Sequence, residues 1–146
     1  MISLVVVASI ATKWLLPEDD SRLAQPLRAV RLFAPDLLIA ECTNALWRRV
    51  TMGDLAPTLA RDGISRLAAV GVELIATLDD ADRALELSLI LGHPAYDCFY
   101  LALAERLDVR LVTADKRLIA KLALHPALSQ RTWSLSQAAA AIGDES

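Results

Sequence analysis

Residues 93–118 read HPAYDCFYLALAERLDVRLVTADKRL, and helix, strand and helix signals follow one another there without a linker. Pro94 opens a helix over Ala95 to Leu107 in which Cys98, Phe99, Leu101, Ala102, Leu103 and Ala104 leave almost no polar face. Such a helix has to be sandwiched between other elements. Val109 to Thr113 is a short strand candidate, and Asp115 follows it as the cap of a helix over Lys116 to Leu122. A buried helix that feeds a strand, which in turn feeds a second helix, is how crossovers join parallel strands. The stretch therefore points to the α/β class.

The same alternation continues outward in both directions. Leu4 to Ala8, Arg31 to Phe33, Glu73 to Ile75 and Arg131 to Trp133 are further strand candidates. Helices are expected from Asp36 through Leu46, over Pro57 to Val70 with its proline in the first turn, and over Ala81 to Leu91. The last is capped by Asp79 or Asp80 and ended by Gly92. No repeat, low-complexity segment or linker divides the 146 residues, which are expected to form a single domain over 1–146.

Apolar residues make up 55% of the chain but aromatics only 5%, so a core of Leu, Ala, Val and Ile is expected. No uncharged apolar run reaches the roughly 18 residues that span a bilayer. No Lys or Arg precedes the apolar start, as one would in an export leader. A soluble, cytoplasmic protein with no membrane partner is the expectation. Cys42 and Cys98 sit inside apolar helical patterns and read as packing residues. The net charge of -3 argues against coating nucleic acid through bulk positive charge, yet it leaves room for a local basic path to a site.

Open parallel sheets bind ligands beyond the carboxyl ends of their strands. Three acids fall in that region. Asp115 comes just after a strand, Asp97 lies in the first turn of the buried helix, and Glu41 lies early in the helix that begins at Asp36. Asn44, three residues beyond Glu41, shares its side of that helix. Singly, each acid has an ordinary explanation as a helix cap, a dipole partner or a surface charge. For Asp97 that explanation is strained, because Tyr96, Cys98, Phe99 and Tyr100 imply covered surroundings in which an unpaired carboxylate is costly. A cation shared by the three removes the cost. The runs Glu18, Asp19, Asp20 and Asp79, Asp80, Asp82 read as solvated helix N-termini. His93 and His125 read as loop histidines lacking a ligand-like partner at helical spacing.

Three stretches, VVVASIATKWLLPED (5–19), PDLLIAECTNALWRR (35–49) and the segment 93–118, together with the terminal strand around Trp133, carry a resemblance. The chain resembles the PIN-domain family, and more closely the VapC-type ribonuclease toxins of bacterial toxin–antitoxin pairs. The most specific part is an aspartate in an alanine-rich helix followed at fixed distance by a strand ending Thr-Ala-Asp. The resemblance implies a three-layer α/β/α fold around a central parallel sheet of about five strands. It also implies a nuclease that hydrolyses RNA phosphodiesters with Mg²⁺ or Mn²⁺, a homodimer, and a cognate antitoxin whose peptide lies across the active site. Glu41, Asp97 and Asp115 match the family's metal-holding acids, Thr113 the hydroxyl residue beside them, and Asn44 and Ser9 polar residues around the site. Asp97 and Asp115 are then direct or water-mediated ligands, and Glu41 a ligand or an aid to the attacking water. Lys13, Lys116 and Arg117 lie where they could contact substrate phosphates, and Arg48 and Arg49 extend that path.

One position departs from the family pattern. Where the family has an aspartate at the end of the first strand, reading V-D-A-S, this chain has Val7. That aspartate is a principal metal ligand, so its loss is expected to weaken metal binding and cleavage. A deliberate or selected change in a toxic nuclease is one origin, and a naturally degenerate member is another. The alternative function is an inactive PIN-like binding module that still pairs with an antitoxin. A phosphoacceptor receiver lacks its acceptor at the end of a central strand, and a dinucleotide binder lacks its glycine-rich turn, since Ala8-Ser9-Ile10-Ala11 follows the first strand.

Overall fold

The computed structural model describes residues 2–145. The chain runs through β1 (Ser3–Val6), α1 (Ala8–Leu15), α2 (Ser21–Ala24), β2 (Arg31–Pro35), α3 (Leu37–Thr51), α4 (Pro57–Val70) and β3 (Glu73–Ile75). It continues through α5 (Ala81–Leu91), α6 (Ala95–Leu107), β4 (Arg110–Thr113), α7 (Lys116–Leu122), α8 (Pro126–Gln130), β5 (Thr132–Ser134) and α9 (Leu135–Glu145). All strand neighbours are parallel and the order across the sheet is β3-β2-β1-β4-β5. Val5 in the middle strand stands opposite Phe33 on one side and Leu111 on the other.

That order has one consequence for function. From β1 the chain steps outward to β2 and β3, then crosses to β4 and steps outward to β5, so the winding reverses between β1 and β4. Right-handed crossovers put the helices made before and after this reversal on opposite faces of the sheet. In keeping with this, α1, α3 and α4 pack on one another, while α6 pairs with α5 and lies against β1, β2 and β4. The result is a helix–sheet–helix sandwich with a crevice at the carboxyl ends of β1 and β4.

The core is aliphatic, as the composition requires. Leu4, Val5 and Val6 of β1, Leu111 and Val112 of β4, and Cys98, Tyr100, Leu101, Leu103 and Ala104 of α6 have no or almost no exposed surface. The near-continuous apolar surface of α6 is thereby explained, since one side meets the sheet and the other α5. Cys42 and Cys98 are buried free thiols. Burial, with Glu41's charge beside Cys42 and Asp97's beside Cys98, pushes them up to about 12 and about 11. They stay protonated at neutral pH and serve as packing groups.

Helices α4, α5, α6 and α7 keep the bounds expected from their patterns, and β3 does too. Elsewhere the ends move. β1 stops at Val6, because the Val7 carbonyl already accepts from Ile10 N–H and Ala11 N–H and so starts α1. β2 runs on to Pro35 opposite Ile75, and β5 is displaced by one residue. The reading of Asp80 as a solvated helix cap is corrected. Its side chain makes no cap, is 4% exposed and receives two hydrogen bonds from Arg106, at 2.7 and 2.9 Å. Among the described residues no single helix is long and apolar enough to cross a membrane.

Candidate functional site

At the reversal point the two strand ends are tied together. Val7 N–H donates to the Val112 carbonyl at 3.4 Å, and Ala114 N–H donates to Ser9 Oγ at 3.2 Å, so the first turn of α1 is pinned to the turn that follows β4. Thr113 is fully buried, and its Oγ1 accepts from Asp115 N–H at 3.0 Å, which bends the chain off the strand. Asp115 then caps α7 through Oδ1, which accepts from Arg117 N–H at 2.9 Å and Leu118 N–H at 3.2 Å. One Asp115 oxygen is thus fixed by the helix end, and among the described residues no donor holds the other.

The other two acids are held in a similar way. Asp97, in the first turn of α6, has Oδ2 at 2.5 Å from His93 Nε2. Glu41, on α3, has Oε1 at 2.5 Å from the Tyr100 hydroxyl, which donates to it. Each of the three carboxylates has one oxygen engaged and the other without a partner among the described residues. Ligand-capable atoms of His93, Asp97 and Asp115 all lie within 4.8 Å of one another. Burial raises the Glu41 carboxyl above its ordinary value, and Asp97's negative charge adds to the rise while the Tyr100 hydrogen bond opposes it. Tyr100 is driven well up, by burial first and by Glu41 next, and remains a hydroxyl donor.

Around this cluster the sequence-derived residues fall out differently. Asn44 and Arg48 are exposed and line, with Glu41, a groove of 570 Å³ that Tyr96 and Phe99 also border. A smaller groove of 300 Å³ joins the same three residues to Ser9 and Thr12 of α1. Lys116 and Arg117 are exposed on the first turn of α7, immediately after Asp115. Arg49 is engaged by Asp54. Lys13 is 7% exposed and its ammonium is held by Asp20 at 2.6 Å and Glu18 at 3.3 Å. The reading of Glu18 and Asp20 as merely solvated is corrected accordingly, because they neutralise a buried cation. Val7, 3% exposed, brings only methyl groups to the strand tip.

Two residues of the cluster were not singled out as partners from sequence. The sequence position of His93 suggests a loop histidine without a ligand-like partner at helical spacing, yet its ring meets Asp97 four residues on. The spacing was visible, but Pro94 placed His93 outside the helix and hid it. Tyr100, three residues after Asp97, gave no signal because its partner Glu41 is distant in the chain.

The PIN-domain family model matches residues 4–123. The chain belongs to the PIN-domain family. It is similar to Ribonuclease VapC9 of Mycobacterium tuberculosis (strain ATCC 25618 / H37Rv), 34% identical over 115 residues that cover 79% of this chain and 87% of the relative. It is also similar to Ribonuclease VapC3 of Pyrobaculum aerophilum, 34% identical over 124 residues that cover 81% and 93% of the two chains. In structure it is similar to the crystal structure of PAE2754 from Pyrobaculum aerophilum, with a TM-score of 0.76, 19% identity, and coverage of 98% and 96%. A toxin–antitoxin complex from Klebsiella pneumoniae shares the fold at a TM-score of 0.58, 12% identity, and coverage of 90% and 97%.

The donor set fits a hard divalent cation. Carboxylate oxygens of Asp97 and Asp115 supply charge and oxygen ligands, with the Glu41 carboxyl near enough to feel the charge of Asp97.

Proposed function

We propose that this chain is a divalent-metal-dependent endoribonuclease toxin of a toxin–antitoxin pair, attenuated because Val7 stands where the strand-tip aspartate is expected. What supports this reading is that ligand-capable atoms of Asp97 and Asp115 lie with His93 within 4.8 Å of one another, with Glu41 near enough to feel the charge of Asp97. The names of the 34%-identical relatives support the substrate class. The toxin–antitoxin title of the Klebsiella pneumoniae structure supports the partner.

Asp97, Asp115 and Glu41 hold Mg²⁺ or Mn²⁺ in this proposal. Such an ion, when bound, would supply charge neutralisation at the scissile phosphate and a lower pKa for an attacking water. Asp115 keeps a fixed direction because it caps α7, and the Tyr100 hydroxyl keeps Glu41 from turning away. Ser9 and Thr113 hold the two strand tips in register. Arg48, Lys116 and Arg117, exposed and without a carboxylate partner among the described residues, bind backbone phosphates at the rim, and Asn44 contacts the same strand of RNA. Lys13, buried and paired with Asp20 and Glu18, serves the fold and not the phosphate path in this proposal. The chain acts as one domain and as a homodimer, for which Leu85 and Leu89, exposed one turn apart on α5, offer an apolar surface.

Val7 removes an oxygen ligand and also one of a group of repelling charges. RNA cleavage in Mg²⁺ or Mn²⁺ by this chain and by its Val7→Asp variant tests the reading. The variant is expected to cleave at least about tenfold faster, the scale on which groups around a metal act, and Asp97→Asn is expected to abolish the gain. Equal cleavage by both forms overturns the role given to Val7. Antitoxin binding without cleavage by either form supports an inactive binding module.

A further inference from the structure

The Lys121–His93 pair is not used by the function just proposed. Lys121 Nζ donates to the Gly92 carbonyl at 2.8 Å and lies 3.1 Å from His93 Nδ1, while Nε2 of the same ring lies 2.5 Å from Asp97 Oδ2. An ammonium offers donors only, so Nδ1 is the acceptor in the first contact. The single proton of a neutral imidazole then sits on Nε2 and is donated to Asp97. The side chain of His93 is 5% exposed and lies between Gly92 and Pro94, so the ring has little freedom to turn.

We infer that Lys121 and His93 form a relay that positions Asp97, engaging Oδ2 so that Oδ1 is the oxygen presented to the divalent ion. The inference rests on the metal-dependent reading above. It makes His93 a positioning residue and not a ligand, although its nitrogen falls within the 4.8 Å cluster. Lys121 occupies the lone pair of Nδ1, and the proton occupies Nε2, so neither nitrogen is free to coordinate. A carboxylate already held in place loses less freedom when it binds an ion, and partners of metal ligands typically change affinity by about 10–100-fold. Because Val7 supplies no oxygen, a larger share of ion binding falls on Asp97 and Asp115, and the relay matters more.

Mn²⁺ titration by calorimetry and electron paramagnetic resonance tests this in the chain as it stands and in its Val7→Asp form. His93→Ala and Lys121→Met are each expected to weaken Mn²⁺ binding by about 10–100-fold. His93→Gln, whose amide N–H can donate to Asp97, is expected to recover most of the loss. The bound Mn²⁺ is expected to show no coupling to an imidazole nitrogen. Unchanged affinity in His93→Ala overturns the relay. So does nitrogen coupling that His93→Ala removes and His93→Gln fails to replace, which is the mark of a direct ligand. If His93→Ala does not fold by circular dichroism, Lys121→Met and His93→Gln decide by the same criteria. If Val7→Asp binds no Mn²⁺ at all, the metal reading itself fails and the relay with it. Binding that is unchanged by His93 removes the relay alone.

Discussion

Glu41 carries the clearest energetic signature in the site. Burial, and then the charge of Asp97, lifts its carboxyl above 4.5 in spite of the hydrogen bond from Tyr100. Between 4.5 and the raised value the folded chain keeps a proton that the unfolded chain has released, so stability falls as pH rises through that window. Above the window the cost is constant. Glu41→Gln, which still accepts from Tyr100, is expected to raise the metal-free Tm at pH 7 by about 2–4 °C for each kcal/mol relieved. The gain should disappear below pH 4.5, and melting curves across pH check it. Val7→Asp should act in the opposite sense, adding a like charge to the strand tip and lowering the metal-free Tm while raising cleavage. At this scale the sequence points to acids near the strand ends and is silent about what holds them. Asp115 following a strand and Asp97 among aromatic residues could be read directly. The hydrogen bond from Tyr100 to Glu41 could not, because the two are separated by 59 positions and meet only once the sheet brings α3 and α6 to the same strand ends.

The elements explain why the site is rigid. Asp115 does two jobs, capping α7 through Oδ1 and bringing a carboxylate oxygen within 4.8 Å of His93 and Asp97. Asp115→Ala is expected to cost about 1 kcal/mol of stability, the usual value of a lost cap, as well as metal affinity. Asp115→Asn keeps the cap acceptor and is expected to lose affinity with little change in Tm. Denaturant unfolding and Mn²⁺ titration of the two variants separate the jobs. Helix bounds such as Pro57–Val70 and Ala81–Leu91 were legible because proline openings and glycine ends mark them locally. Strand ends were less legible, since whether Val7 extends β1 or starts α1 depends on carbonyl partners that no local pattern encodes. Asp80 illustrates the same limit. Its sequence position suits a cap, but Arg106, 26 residues away, supplies a stronger partner and turns its carboxylate inward.

For the whole molecule, strand order is the decisive feature. Alternating elements indicate a parallel sheet, but they do not say that β1 lies between β2 and β4, and that order is what creates the crevice. Assembly belongs to the same scale. Leu85 and Leu89 are 57% and 75% exposed on consecutive turns of α5. In the homodimer reading, the double variant Leu85→Glu, Leu89→Glu is expected to halve the mass seen by light scattering while leaving the circular dichroism spectrum unchanged. A dimer that persists places the interface elsewhere.

Crystals of this chain and of Val7→Asp, soaked in Mn²⁺ and measured at a wavelength where manganese scatters anomalously, test the metal centre most directly. The expected result is a peak bounded by Asp97, Asp115 and Glu41, strong in Val7→Asp and weak or absent with valine. Manganese bound away from these three side chains in both crystals, or equal peaks regardless of residue 7, would contradict a shared centre that is missing its strand-tip ligand.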